Sequence, residues 1–218
     1  MMCERVVQMI IKRIVVGELQ TNCYIVADDE CQEGIVIDPG NDGEEILRII
    51  DELEINVKYI LNTHGHADHI GANKVIKDGT DGKLLIHEDD LNMLTDNMEN
   101  LSIFLDPDEP LLSPDADKLL KDGDTFQVKD MTFEVMHTPG HTRGGVVFKV
   151  GNTFFTGDTL FADSIGRTDF PGGSYNTLIK SIHRLTKLMN YDSTILPGHG
   201  PDTNFAKAKK NNPYLFGI

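Results

Sequence analysis

Eight histidines serve 218 residues, and three of them, His64, His66 and His69, stand with Asp68 inside six positions of the stretch THGHADHIG. Imidazole nitrogens and carboxylate oxygens are the donors that zinc, iron and manganese accept, at about 2.0–2.2 Å for zinc. One loop cannot enclose an ion by itself, so partners must come from elsewhere in the chain. His137 and His141 in HTPGH, His199 in PGHG and Asp158 in TGDTLF are the candidates. His64 and His66, two apart in extended chain, can face one way. Asp68 and His69 fall where a helix begins and can face another. One loop can thus serve two metals, with Asp158 able to bridge them because a carboxylate has two oxygens. Two ions about 3.5–4 Å apart can share a hydroxide at neutral pH. A lone histidine at a strand end is an ordinary hydrogen-bonded residue, and that is the expectation for His87 and His183.

Each cluster follows a run that reads as a strand, the usual place for sites in α/β sheets. IKRIVVG (11–17), NCYIVAD (22–28), GIVID (34–38) and VKYILN (57–62) are strand candidates, and the last leads into the histidine loop. Between them Asp42 and Glu45 suggest a capping box, followed by Ile46, Ile50 and Leu53 at helical spacing, with Leu47 and Ile49 widening the stripe. Glu44 and Arg48 are placed to pair on its polar face. A second helix is expected from about His69 to Lys77, then a strand at KLLIH (83–87). Leu91, Leu94, Met98 and Leu101 recur at helical spacing in 88–105, before DPDEPLLSPD (106–115) breaks the pattern. That stripe is read as core packing, with a lid over the site as the alternative. TFQV (125–128), MTFEVMH (131–137), GVVFKV (145–150) and TFFTGD (153–158) read as strands. Ser174 can cap a helix that buries Leu178, Ile182, Leu185 and Leu188 or Met189. STIL (193–196) is a last short strand. With no linker in view, one domain over 1–218 is the economical reading.

The net charge of -15 argues against a nucleic-acid partner and against an anionic membrane surface. No run approaches membrane-span length, and MMCERVVQMIIKR lacks the features of a secretion signal. Cys3, Cys23 and Cys31 are odd in number and form no CxxC pair, so they are expected as reduced thiols in the cytoplasm. The oligomeric state is not encoded in any of these features.

Taken together and in order, HGHADH, HTPGHT, GDTLF and PGHG resemble the metallo-β-lactamase superfamily, with VIDPG (36–40) matching an early motif of that family. Within it, SIGRTDFPGGS (164–174) is most similar to glyoxalase II (hydroxyacylglutathione hydrolase), in particular the short bacterial type. The resemblance covers nearly the whole chain. It implies an α/β fold: a four-layer αβ/βα sandwich of two mixed sheets with helices outside. It also implies two divalent ions per chain, zinc first, with iron or manganese as alternatives. One ion would take His64, His66 and His141, the other Asp68, His69 and His199, with Asp158 between them. Asp68 and Asp158 thereby carry the catalytic role. His137 is given a structural part, and Asp38 the orientation of a ligand imidazole.

The implied reaction is hydrolysis of a small-molecule thioester such as S-D-lactoylglutathione by the metal-bridging hydroxide. The departing thiolate needs little acid help, because thiols have pKa values near 8.5. The stretch after His199 is too short for the helical domain that holds glutathione in longer relatives. Arg167 is an anion-contact candidate, or else an ion-pair partner of Asp163 or Asp169. Tyr175 and NPYLFGI (212–218) are read as packing rather than pocket. The runner-up activities are an iron persulfide dioxygenase and another hydrolase of this fold, a lactonase or β-lactamase. A diiron redox module is disfavoured by His66, where such proteins carry Glu.

Overall fold

The structure is a computed structural model that describes residues 9–29, 32–108 and 111–217; Cys3 and Cys31 lie outside the described residues. Six strands build the first sheet: β1 (Met9–Val16), β2 (Thr21–Asp28), β3 (Glu33–Ile37), β4 (Asn56–Leu61), β5 (Lys83–His87) and β6 (Lys118–Leu120). They lie in sequence order; β2 is antiparallel to both β1 and β3, and β4 to β6 run parallel to β3. The parallel pairs are joined over one face by α1 (Gly43–Glu52), then α2 (Ala67–Ile70) and α3 (Asn73–Gly79). The second sheet runs β7 (Thr125–Val128), β8 (Met131–His137), β9 (Val146–Val150), β10 (Thr153–Gly157), β11 (Thr194–Pro197) and β12 (Thr203–Asn204). It is antiparallel except where β10 meets β11. That parallel step is bridged by α4 (Tyr175–Thr186), and α5 (Phe205–Asn211) follows β12.

Strand alternation sorts the apolar residues into layers. Ile35 and Ile37 point between the sheets with Tyr24, Val26, Phe133, Phe148 and Phe155. Val36, one residue out of phase, points the other way, with Ile25, Ile60 and Ile86, onto Ile46, Ile50 and Ile76 of α1 and α3. On the far side Val147, Phe154 and Ile195 meet Leu178, Ile182 and Leu185 of α4. The order is therefore helices, sheet, sheet, helices, as the motif resemblance implies.

Several local expectations are corrected. Asp42 does not cap α1: it is left-handed, at φ 54°, and its carboxylate accepts the Gly17 N–H at 2.8 Å, tying the β1–β2 turn to the helix start. Arg48 pairs with Glu45 and Glu52 rather than Glu44. The helix expected over 69–77 is split: the Ala72 N–H bonds the Pro39 carbonyl at 2.8 Å rather than a carbonyl one turn back. Gly71 permits that approach, since a Cβ there would stand 2.1 Å from the Gly40 carbonyl oxygen. Residues 88–105 are not one helix but two 3-10 turns, Glu88–Leu94 and Ser102–Phe104. The Asp96 carboxylate takes the Met98 and Glu99 N–H groups, and the buried Asn100 amide binds the Met93 carbonyl, so side chains displace the helical ladder. Leu94 is buried while Leu91 and Met98 are exposed. Ser174 does cap α4, whose next turn buries Met189 and exposes Leu188. The packing read for Tyr175 is also corrected, since its side chain is exposed.

Candidate metal centre

β4 ends at Leu61, and the chain crosses the sheet edge through Thr63–His66 before α2 turns it back. The loops after β8, β10 and β11 end at the same edge and deliver His141, Asp158 and His199. The two halves are sewn together there: the Asn22 amide donates to the Pro197 and Gly200 carbonyls, and Tyr24 Oη donates to Pro197 O.

Three donor groups result, each with ligand atoms within 4.8 Å of one another: His64, His66 and His141; Asp68, His69 and His199; and His64, His69 and Asp158. His69 Nε2 lies 3.5 Å from both Asp68 Oδ2 and Asp158 Oδ1, and His199 Nε2 lies 3.1 Å from Asp68 Oδ2. His141 Nε2 lies 3.6 Å from Asp158 Oδ2. Donors bound to one ion at about 2.1 Å sit about 3.4 Å apart if tetrahedral, so these separations suit divalent ions.

The ring orientations carry the stronger test. His69 Nδ1 donates to Asp38 Oδ2 at 3.0 Å, His141 Nδ1 to the Arg167 carbonyl at 2.8 Å, and His199 Nδ1 to the Leu19 carbonyl at 3.1 Å. Thr63 Oγ1 donates to Asp38 Oδ2 and so accepts from His64 Nδ1 at 3.1 Å. Four rings thus spend Nδ1–H on an oxygen and turn Nε2, the nitrogen a metal would take, toward the cluster. Three buried atoms here have no protein partner: His64 Nε2, His66 Nε2 and Asp158 Oδ1. Buried polar atoms are rarely left unpaired, and His66 turns its other nitrogen, Nδ1, to the cluster, 2.9 Å from His141 Nε2.

Electrostatics point the same way. Burial, reinforced by neighbouring imidazoles, holds His64 far below the ordinary histidine pKa and His66 at about 3, so both are neutral and able to coordinate. Burial also opposes charge on His69, but Asp68, Asp38 and Asp158 outweigh it and raise its pKa to about 10. Burial disfavours the Asp68 carboxylate too, yet His69 and His199 bring its pKa well below the carboxylate range. The cluster is a preformed hole for positive charge.

Two devices hold the donors in place. Asp38 adopts φ 51°, a strained backbone state for a non-glycine residue, and its carboxylate also accepts the Thr63 N–H at 2.7 Å. Gly198 packs against the donors themselves: a Cβ there would stand 2.4 Å from Asp158 Oδ1. Asp90 is an organiser that sequence reasoning missed. Buried, it accepts from Thr142 Oγ1 at 2.7 Å and from the Gly65 and Gly144 N–H groups, joining the two histidine-bearing loops.

The other expectations fall out differently. His137 stacks on His87 with ring centres 4.0 Å apart, away from the donors. Of the two partners weighed for Arg167, the one found is Asp169, whose two oxygens it meets at 2.8 and 2.7 Å. The Arg167 guanidinium also lies over Phe170, and its carbonyl holds His141.

A sandwich of two mixed sheets with His/Asp donors converging from four strand ends defines a metal-dependent hydrolase fold. The metallo-beta-lactamase superfamily model matches residues 16–199, and the chain belongs to that superfamily. Hydroxyacylglutathione hydrolase GloC of Haemophilus influenzae is 37% identical over 208 residues, 94% of this chain and 97% of the relative. Among solved structures, BLEG-1 B3 metallo-beta-lactamase superposes with a TM-score of 0.90 at 34% identity, over 95% of this chain and all of the other. TTHA1623, solved in a di-iron-bound form, superposes with a TM-score of 0.81 at 31% identity, over 94% of this chain and 100% of that one. Among the described residues, no helix is long and apolar enough to cross a membrane.

Proposed function

We propose that this protein hydrolyses thioesters in the manner of glyoxalase II, with S-D-lactoylglutathione as the reference substrate. His64, His66 and His141 would hold one divalent ion, Asp68, His69 and His199 the second, and Asp158 would stand between them. The observation that carries this reading is the convergence of His66 Nδ1 with the Nε2 atoms of four locked rings, beside the unpartnered buried atoms His64 Nε2 and Asp158 Oδ1. The similarity to GloC supports the thioester assignment. Bound there, the ions would activate water near neutral pH and polarise the carbonyl. Zinc suits the donor set, and the di-iron form of TTHA1623 keeps iron in view, with manganese third.

The chain's own residues supply position and charge. Asp38 and Thr63 fix the His64 and His69 rings, the Arg167 and Leu19 carbonyls fix His141 and His199, and Thr21 Oγ1 donates to Asp68 at 3.0 Å. A cavity of about 370 Å³ opens on His66, His141, Asp158 and His199 and is large enough to bring a thioester to that face. The leaving thiolate is stable enough to depart without a dedicated acid. Residues 1–218 act in this reading as one unit in the cytoplasm, on a small molecule, with neither nucleic acid nor membrane as partner.

A second reading, lactam hydrolysis, has the likeness to BLEG-1 in its favour. The test is metal analysis of the purified protein together with assays on lactoylglutathione, a β-lactam, a lactone and, by oxygen uptake, glutathione persulfide. Two ions per chain with turnover of the thioester is the expected result. One iron with oxygen consumption, or turnover of the lactam or lactone alone, would replace it.

A further inference from the structure

We infer that the cavity beside the donor cluster selects thioesters by an apolar acyl chain, with Phe104, Leu105 and Phe170 as its specificity-determining walls. The inference rests on the thioester reading and narrows it. Two cavities adjoin at Leu19, Ala67, Asp68 and Leu105. The one facing the cluster has mostly apolar other walls, Leu19, Leu101, Phe104, Leu105 and Phe170, with Asn100 and Arg167 as the polar ones. Phe104 and Leu105 are 73% and 57% exposed, although they stand over a polar centre, so a bound chain has apolar surface left to cover. The adjoining cavity, about 420 Å³, is mixed: Glu18, Thr21, Asn41, Ser102 and Asp106 line it together with Val16 and Leu111.

The division assigns the two ends of the substrate. Biological thiols are polar, whereas acyl groups range from polar to wholly apolar. The mixed arm, which carries the polar groups, therefore suits the thiol, and the more apolar arm the acyl chain. Among the described residues lining either cavity, Arg167 is the lone arginine or lysine, and both Asp169 oxygens already engage it. Glu18 and Asp106 offer no attraction to the carboxylates of a peptide thiol. The lactoyl hydroxyl would leave water for an apolar wall, which costs binding unless a partner is found. Each methylene fully buried on the same wall is worth about fourfold in affinity.

The test holds the thiol constant and varies the acyl group: lactoyl-, acetyl-, butyryl- and hexanoylglutathione, with the metal-loaded protein. The expected kcat/KM rises at least about tenfold from acetyl to hexanoyl, with lactoyl near acetyl. Phe104→Ala and Leu105→Ala, both at exposed positions, should each flatten that rise. A flat or falling profile with lactoyl best, or a rise that both variants leave intact, overturns the inference. In parallel, calorimetry compares S-methyl- and S-hexylglutathione, which cannot be hydrolysed. Tighter binding of the hexyl compound supports the apolar arm, and equal binding overturns it. Failure to hydrolyse any member of the series removes the thioester reading instead, and the binding comparison still decides the character of the cavity.

Discussion

Among the described residues two regions combine histidine with aspartate, and only one is built to hold an ion. At the sheet edge the rings of His64, His66 and His141 stand nearly perpendicular, at 80–88°, and their donor atoms converge, His66 Nδ1 lying 2.9 Å from His141 Nε2. His87, Asp89 and His137 also bring their donor atoms within 4.8 Å, but the two rings are stacked at 11°. A ring's lone pair lies in its own plane, so parallel rings send theirs side by side rather than to one point. The nitrogens nearest Asp89 are also engaged: His87 Nδ1 accepts the Asp89 N–H, and His137 Nε2 donates to the Arg143 carbonyl. Proximity of the right residue types is thus a weak criterion. Orientation, and a donor atom left without a partner, separate a site from a satisfied cluster.

The comparison can be broken most sharply at Asp158, the position proposed to bridge. Asp158→Ala should lower occupancy of both ions together and reduce hydrolysis by about three orders of magnitude, read by metal analysis and kinetics. Loss of one ion with the other retained would end its bridging role. His141→Ala should abolish hydrolysis with the circular-dichroism spectrum intact; retained activity would remove it from the ligand set. Asp38→Asn removes charge and disturbs the hydrogen bond that sets His69, so metal affinity should fall about 10–100-fold, measured by competition with a chelator.

Protons test the same region. The pKa of His69 is raised from 6.5 to about 10, so its attraction to the carboxylates stabilises the metal-free fold fully below about pH 6.5 and is lost as pH rises through about 10. A metal must displace that proton. Affinity should therefore climb by up to about tenfold per pH unit across that window, with proton release seen by calorimetry in two buffers. No proton release at pH 7.5 would place the metal away from His69. The smallest effect is expected at the stacked pair. His87→Phe keeps an aromatic face for His137 and should leave metal content unchanged, at a stability loss of about 1 kcal/mol in a denaturant titration. A drop in bound metal would erase the distinction between the two clusters.

The donors were legible in the sequence because metal chemistry restricts residue type so severely that HGHADH stands out unaided. Most strands were legible because burial leaves continuous β-branched apolar runs in plain view, whereas the four-layer order came from the motif resemblance. Asp90 was not, because its partners are backbone amides at Gly65 and Gly144, and a backbone amide leaves no residue type to read. The leucine spacing in 88–105 misled for a related reason. It matches a helix, but Asp96 and Asn100 offer the backbone a closer partner. β6 and β12 were missed because strands of three and two residues carry too little pattern. The Arg167 guanidinium was weighed as an anion contact when its carbonyl, which any residue would supply, is the atom that holds His141.

Each of the three donor groups at the sheet edge draws one member from beyond residue 140: His141, His199 or Asp158. During synthesis the THGHADH loop leaves the ribosome long before any of these. A nascent chain therefore offers each ion at most two donors, and weak, exchangeable capture at best. Tight loading waits until both sheets have met along their shared edge, so metal retention reports that the final third of the chain has been made and correctly docked.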